Sequence, residues 1–186
     1  MTLKALTSPL LLLLSGASLT LAFSPFGLWP VALIALALGI RQVAKAPGNG
    51  FKAGWLFGLG WFGAGISWVH VSIADFGGLP LIASVALMAL LCGYLALYPA
   101  LAFWINKKVF PVGVWPLTLP LLWFIAEWLR SWVLTGFPWL SLGYSQLDSP
   151  LLGWFPVIGE TGVTALLVCL GALLAFSQTR SRMLFS

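Results

Sequence analysis

The sequence predicts an all-α, polytopic transmembrane helical bundle of about six spans, with its amino terminus in the cytoplasm. Of its 186 residues, 61% are hydrophobic and only 7% charged, whereas soluble domains carry roughly 25% charged residues. The apolar residues come in runs of about the 20 residues needed to cross a hydrocarbon core. The charges also sort by side. Lys4, Arg41, Lys45, Lys52, Lys107, Lys108, Arg180 and Arg182 fall in segments of one parity, while Arg130, Asp75, Glu127, Asp148 and Glu160 fall at or near the other. Basic segments resist translocation and acids count for little, so the base-rich side is expected to be cytoplasmic.

The first run, Leu3 to Phe23, is long enough to span. A cleaved signal peptide is the rival reading, with Lys4 as the n-region, Pro9 to Leu14 as a short h-region and Ser15-Gly16-Ala17 as the cleavage site; the apolar run continues well past that site. FSPFGLWP then breaks the helix, and a shorter run ends at Ile40, either as a short span or as half of a re-entrant hairpin. Residues 41–52 form the clearest polar connector. A third span is expected from about Phe51 to Ala74, with Gly50, Gly54 and Gly58 at four-residue spacing and Gly60 and Ala64 on another face. In lipid, such small residues let helix backbones approach closely.

Span four, about Leu79 to Ile105, should kink at Pro99, which removes a backbone donor. Span five follows Pro111, includes Pro116 and Pro120, and reaches Trp132; span six runs from about Pro156 to Phe176 and ends at Gln178-Thr179-Arg180. Between them, the outer segment 133–155 is rich in aromatics, glycine, proline and hydroxyls, with Asp148 as its single charge. The expected organisation is a transmembrane domain over 1–178, including this interfacial segment. Residues 179–186 are then a cytoplasmic end where a seventh span begins with MLFS.

Several chemistries are excluded. The net charge of +5 comes from bases scattered at span ends, without the basic stripe of a nucleic-acid-binding protein. Cys92 and Cys169 lie inside apolar runs, where no disulfide framework is expected and burial disfavours a thiolate nucleophile. A single histidine excludes metal sites built on paired imidazoles, and neither a metal nor a cofactor is expected. Gly58 to Gly63 matches G-x-G-x-x-G but lies within a span, whereas the dinucleotide fingerprint requires a strand before it. Ser141 and Ser145 have no histidine nearby in sequence, and no two acids are spaced for paired acid and base work. No catalytic residue is therefore assigned.

What polar chemistry remains gathers at the outer side. Glu127 and Arg130, three residues apart, share a helix face. They read either as a structural ion pair snorkelling toward the headgroups, or as a functional pair in which Arg130 meets a lipid phosphate or shapes a polar mouth. Trp139, Tyr144 and Trp154 suit an interfacial aromatic belt or a lipid-handling rim. Glu160 either pairs with Arg130 or reaches the headgroups, and His70 and Asp75 flank an outer loop, with a proton relay as the alternative.

LAFSPFGLWP (21–30), GISWVHVSIADFGGLP (65–80) and AEWLRSWVLTGFPWLSLGYSQLDSPLLGWFPVIGETG (126–162) together resemble the amino-terminal membrane region of bacterial apolipoprotein N-acyltransferases. The resemblance implies a multi-pass inner-membrane enzyme that moves an acyl chain from a phospholipid donor to the amino terminus of a diacylglyceryl-cysteine apolipoprotein acceptor. It also implies a periplasmic nitrilase-like domain between the seventh and eighth family spans, where a Glu-Lys-Cys triad performs ping-pong transfer through a thioester. No residue of this sequence matches that triad, so the fragment alone is expected to be inactive.

The family pattern instead maps onto Glu127, Arg130, Gly136, Phe137, Pro138, Trp139, Gly143, Tyr144 and Gln146. By this resemblance Glu127, Arg130, Phe137, Trp139, Tyr144 and Gln146 are the lipid-mouth candidates. A stand-alone membrane lipid-binding, scaffold or transport protein is the alternative. Transporters usually reveal a repeated half or matched broken helices, and neither is evident here.

Overall fold

A computed structural model describes residues 3–184, with side chains over 9–177. The expectations placed on the side chains of Lys4, Arg180 and Arg182, and on the final Phe185 and Ser186, lie outside the described residues. The described residues form helices joined by turns and irregular connectors. Its α-helices are α1 (Leu3–Ser18), α2 (Trp29–Lys45), α3 (Phe51–Gly65), α4 (Val69–Gly77), α5 (Leu81–Leu95), α6 (Leu97–Val109), α7 (Trp115–Arg130) and α8 (Phe155–Leu184). Short 3-10 turns follow α1 and occupy the long segment between α7 and α8.

Among the described residues, three helical stretches are long and apolar enough to cross a membrane: Leu81–Val109, Val112–Arg130 and Pro150–Ser177. The α3–α4 pair makes a fourth if its two arms count as one span. Six spans are expected by run length; among the described residues Pro9–Ala22 is a shorter apolar helix and α2 has 17 residues. α2 nevertheless continues past the expected stop at Ile40 to Lys45, burying Ala32, Ala35, Leu36, Gly39, Ile40 and Val43 along one stripe. At 1.5 Å per residue its length is about 25 Å. It starts beside Gly27, near Asp148, and ends where Lys107 Nζ donates to Val43 O at 3.0 Å and Ala46 O at 2.6 Å. Thus α2 runs from one end of the bundle to the other.

α3 is the central helix, packed between α1 and α6. Its glycines behave as their spacing predicts. A Cβ on Gly54 would come within 2.9 Å of the Phe103 ring, and one on Gly58 within 2.8 Å of the Ala96 Cα, so this face lies directly on α6. Gly60, on another face, approaches the backbone of Leu13 and Ala17 in α1. The large rings these contacts admit form the core: Phe57, Phe103 and Trp123 meet edge to face, and Trp61 stacks on Trp123 with centroids 6.1 Å apart. The Gly58 to Gly63 motif is part of this packed helix, with no strand before it.

Three expectations need correcting. The third span is not continuous to Ala74, because α3 ends at Gly65 and α4 sets off at 55° to it. The break sits where Leu140, from the outer segment, presses its side chain onto Gly65. The disturbance expected at Pro99 shows as a one-residue interruption at Ala96, between α5 and α6. A proline ring clashes with the carbonyl four residues earlier, here that of Leu95, so the disturbance appears one turn upstream. Finally, the last helix does not stop at Gln178; its backbone remains helical through Leu184, after an interruption at Gly159 (φ 69°, ψ 177°).

The charge segregation has a structural counterpart. Arg41 and Lys45 near the end of α2, Lys52 at the start of α3, and Lys107 and Lys108 at the end of α6 occupy one end of the bundle. Glu127, Arg130, Asp148 and Glu160 gather at the other.

Candidate functional site: the buried polar cluster under the outer segment

The segment after α7 does not lie flat across the bundle, as its composition suggests. It turns back on α7 through a bond from Phe137 N to Arg130 O at 2.9 Å and then enters the bundle, where Leu142, Gly143, Ser145 and Gln146 are buried. Two glycines permit this path. Gly136 has φ 79° and presses against the Ser131 carbonyl, leaving no space for a side chain. Gly143 lies so close to α8 that a Cβ would meet the Glu160 backbone carbonyl and stand 2.9 Å from Glu160 Oε1.

Arg130 holds the returning chain. Its Nη1 donates to Phe137 O at 2.6 Å and to Trp139 O at 2.7 Å, Nη2 stands 3.7 Å from Glu127 Oε1, and the guanidinium lies over the Phe62 ring with 5.5 Å to its centroid. Both side chains of the ion pair are at most 5% exposed. Snorkelling is therefore not what this pair does: the guanidinium spends its donors inside the protein on the carbonyls of the outer segment. The planar fork of arginine suits this task, since one rigid group engages several acceptors.

Glu127 completes the latch from the other direction. Its Oε1 accepts from Leu142 N at 3.1 Å, and its Oε2 from Ser141 Oγ at 2.8 Å. The Ser141 hydroxyl also contacts Glu160 Oε1, which accepts from Thr164 Oγ1 at 3.2 Å; Thr164 Oγ1 in turn accepts from Gly143 N at 2.7 Å. Two acids that sequence spacing does not place together thus converge on one serine. Glu160 joins Arg130's cluster through Ser141 and Glu127 and makes no direct ion pair with Arg130.

The remaining candidates divide by exposure. Trp139 and Tyr144 present their rings outward, at 56% and 51% exposed. Phe137 is half-buried and packs against Trp139 with centroids 5.2 Å apart. Gln146 is buried; its Nε2 donates to Ser145 Oγ at 2.9 Å, and Ser145 Oγ donates to Leu142 O at 2.6 Å, so it braces the inward turn. Sequence reasoning missed Ser141, Thr164 and Phe62. Nothing local marks them, because their roles arise only when α3, α7 and α8 come together. Gly143 before Tyr144 and Glu160 after Gly159 were the available signals. His70, at the start of α4, directs Nδ1 to Ser67 O, away from this cluster. Cys92 and Cys169 are free.

An all-α membrane domain with one end closed by an inward-folded loop, latched on a buried arginine and two glutamates, is the class of protein this geometry defines. The chain belongs to the apolipoprotein N-acyltransferase family: residues 15–173 match the model of the apolipoprotein N-acyltransferase N-terminal domain. Among its relatives it is 45% identical to an apolipoprotein N-acyltransferase of Vibrio parahaemolyticus over 92% of this chain, and 46% identical to that of Vibrio cholerae over 97%. The corresponding protein of Photobacterium profundum is 49% identical over 87%. These alignments cover 35%, 37% and 32% of the relatives, so the chain spans about a third of their length.

Proposed function

We propose that these residues form the membrane part of a phospholipid-dependent apolipoprotein N-acyltransferase in a bacterial inner membrane. Its base-rich end faces the cytoplasm, and the latched segment forms the outer mouth. Arg130 and Glu127 hold the mouth in shape, Gln146 braces its inward turn, and Phe137, Trp139 and Tyr144 line its approach. The phospholipid donor and the diacylglyceryl-cysteine acceptor pass this mouth on their way to the acyl-transfer chemistry, which no residue of this stretch supplies. The observation that supports this reading is the hold of Arg130 on Phe137 O and Trp139 O, which fixes an aromatic segment at one end of the apolar helical bundle.

The test is steady-state acyl transfer in proteoliposomes by the complete enzyme carrying Arg130→Ala or Arg130→Lys. The alanine variant should lose more of kcat/KM for the phospholipid than the lysine variant. Wild-type rates in both would leave the pair a purely structural feature. The 186-residue chain alone should form no acyl-enzyme, and a thioester trapped on it would overturn the division of labour.

A further inference from the structure

Beside the polar cluster, the outer end carries a separate pocket of about 350 Å³. Ser24 from the turn after α1, Trp68 from the α3–α4 break, and Trp139, Tyr144, Ser145 and Asp148 from the outer segment all line it. Trp68, Trp139 and Tyr144 are each about half exposed, at 53%, 56% and 51%. Asp148 is exposed as well, and its carboxylate has no ion pair or hydrogen bond among the described residues. The described bases offer it no partner. Arg130 is buried and engaged by Phe137, Trp139 and Glu127, while Arg41, Lys45, Lys52, Lys107 and Lys108 stand at the other end of the bundle.

Three aromatic rings and one unpaired carboxylate around a small cavity define its ligand by charge. Ring faces carry negative electrostatic potential and attract cations within about 6 Å of their centroids. A carboxylate in the same wall adds to that attraction and repels phosphate. A neutral donor would gain a hydrogen bond from Asp148 but neither its charge attraction nor that of the ring faces. We propose that this pocket is a binding site for an ammonium group, with Asp148 as its counter-ion and Trp68, Trp139 and Tyr144 as its aromatic walls. Ser24 and Ser145 supply the polar edge.

Two molecules bring an ammonium to this face under the function proposed above, on which only their identity rests: an aminophospholipid, through its headgroup, and the acceptor lipopeptide, through its free α-amino group. Native mass spectrometry of the purified chain distinguishes them. In the first arm the chain is offered an equimolar mixture of ethanolamine-headgroup and glycerol-headgroup phospholipids with the same acyl chains. In the second it is offered a diacylglyceryl-cysteine peptide with a free or an acetylated amino terminus. The amine-bearing ligand should be retained preferentially in at least one arm, and Asp148→Asn should reduce that preference about two- to fivefold, the range of a partly exposed ion pair. Trp68→Leu should reduce it as well.

Asp148 is exposed, so the Asn variant should keep the wild-type unfolding temperature, which separates loss of the site from loss of the fold. Equal retention of amine and non-amine ligands in both arms, or a preference untouched by Asp148→Asn and Trp68→Leu, would overturn the site. The readout is binding, so failure of the acyltransferase reading would appear in the transfer assay and leave this result unaffected.

Discussion

Removing the guanidinium of Arg130 should release the outer segment. In Arg130→Ala, Phe137 O and Trp139 O lose donors at 2.6 and 2.7 Å, and Glu127 is left inside the protein without its cationic neighbour. Breaking a buried ion pair from one side costs about 3–5 kcal/mol, because the remaining charge is uncompensated. For a chain of this length, about 2–4 °C of unfolding temperature corresponds to each kcal/mol, so a fall of about 6 °C or more is expected. Arg130→Lys retains the charge but replaces a planar fork by a single ammonium, and should lose about 1–3 kcal/mol, the worth of one charged hydrogen bond. Removing both charges in Glu127→Leu with Arg130→Met should be milder than Arg130→Ala alone, since no orphaned charge remains. The assay is thermal unfolding in detergent, paired with limited proteolysis across residues 133–155. Wild-type unfolding temperature and protease resistance in Arg130→Ala would refute the latch.

Further substitutions probe the neighbouring contacts. Gly143→Ala should destabilise by about 1–3 kcal/mol, because its Cβ meets the rigid Glu160 carbonyl; Gly63→Ala, inside α3 with open space around it, should hold or raise the unfolding temperature, since alanine favours a helix over glycine by about 0.5–1 kcal/mol. Ser141→Ala removes the hydroxyl shared by Glu127 and Glu160 and should cost about 1–3 kcal/mol, read by the same unfolding assay. Single cysteines introduced at Asn49 and at Leu147, in a background lacking Cys92 and Cys169, should react from opposite sides of an intact inner-membrane vesicle with an impermeant maleimide. Labelling of both from one side would refute the orientation.

The elements were legible where physical chemistry acts locally. Runs of apolar residues marked the helices, and the spacing of Gly54 and Gly58 foretold a close helix contact that the structure places on α6. The Glu127–Arg130 pair was legible from its spacing and from the cost of charge in lipid. What escaped depends on long-range packing. Residues 53–66 are apolar throughout, so nothing in their pattern announced that Leu140 would wedge against Gly65 at the break between α3 and α4. The outer segment misled for a related reason: Leu142 and Leu147 look alike in sequence, yet one is fully buried and the other half exposed. Burial here follows from which backbone groups are held, and Arg130 holds them from a helix the segment has already left.

That arrangement also links the polar cluster to the neighbouring pocket. Arg130 fixes the backbone carbonyl of Trp139, whose ring lines the pocket with Tyr144 and Asp148. Leu140, next in sequence, wedges at the α3–α4 break that brings Trp68 to the same wall. One short stretch, 137–142, is therefore gripped from inside by Arg130 and Glu127 while it shapes the outer wall. A charged group in a lipid-embedded protein is costly to bury and is ordinarily retained where it serves a function. Here its service is to give an outward-facing, aromatic-rich loop one backbone geometry, so that side chains exposed to lipid and water keep fixed positions without a covering layer of their own.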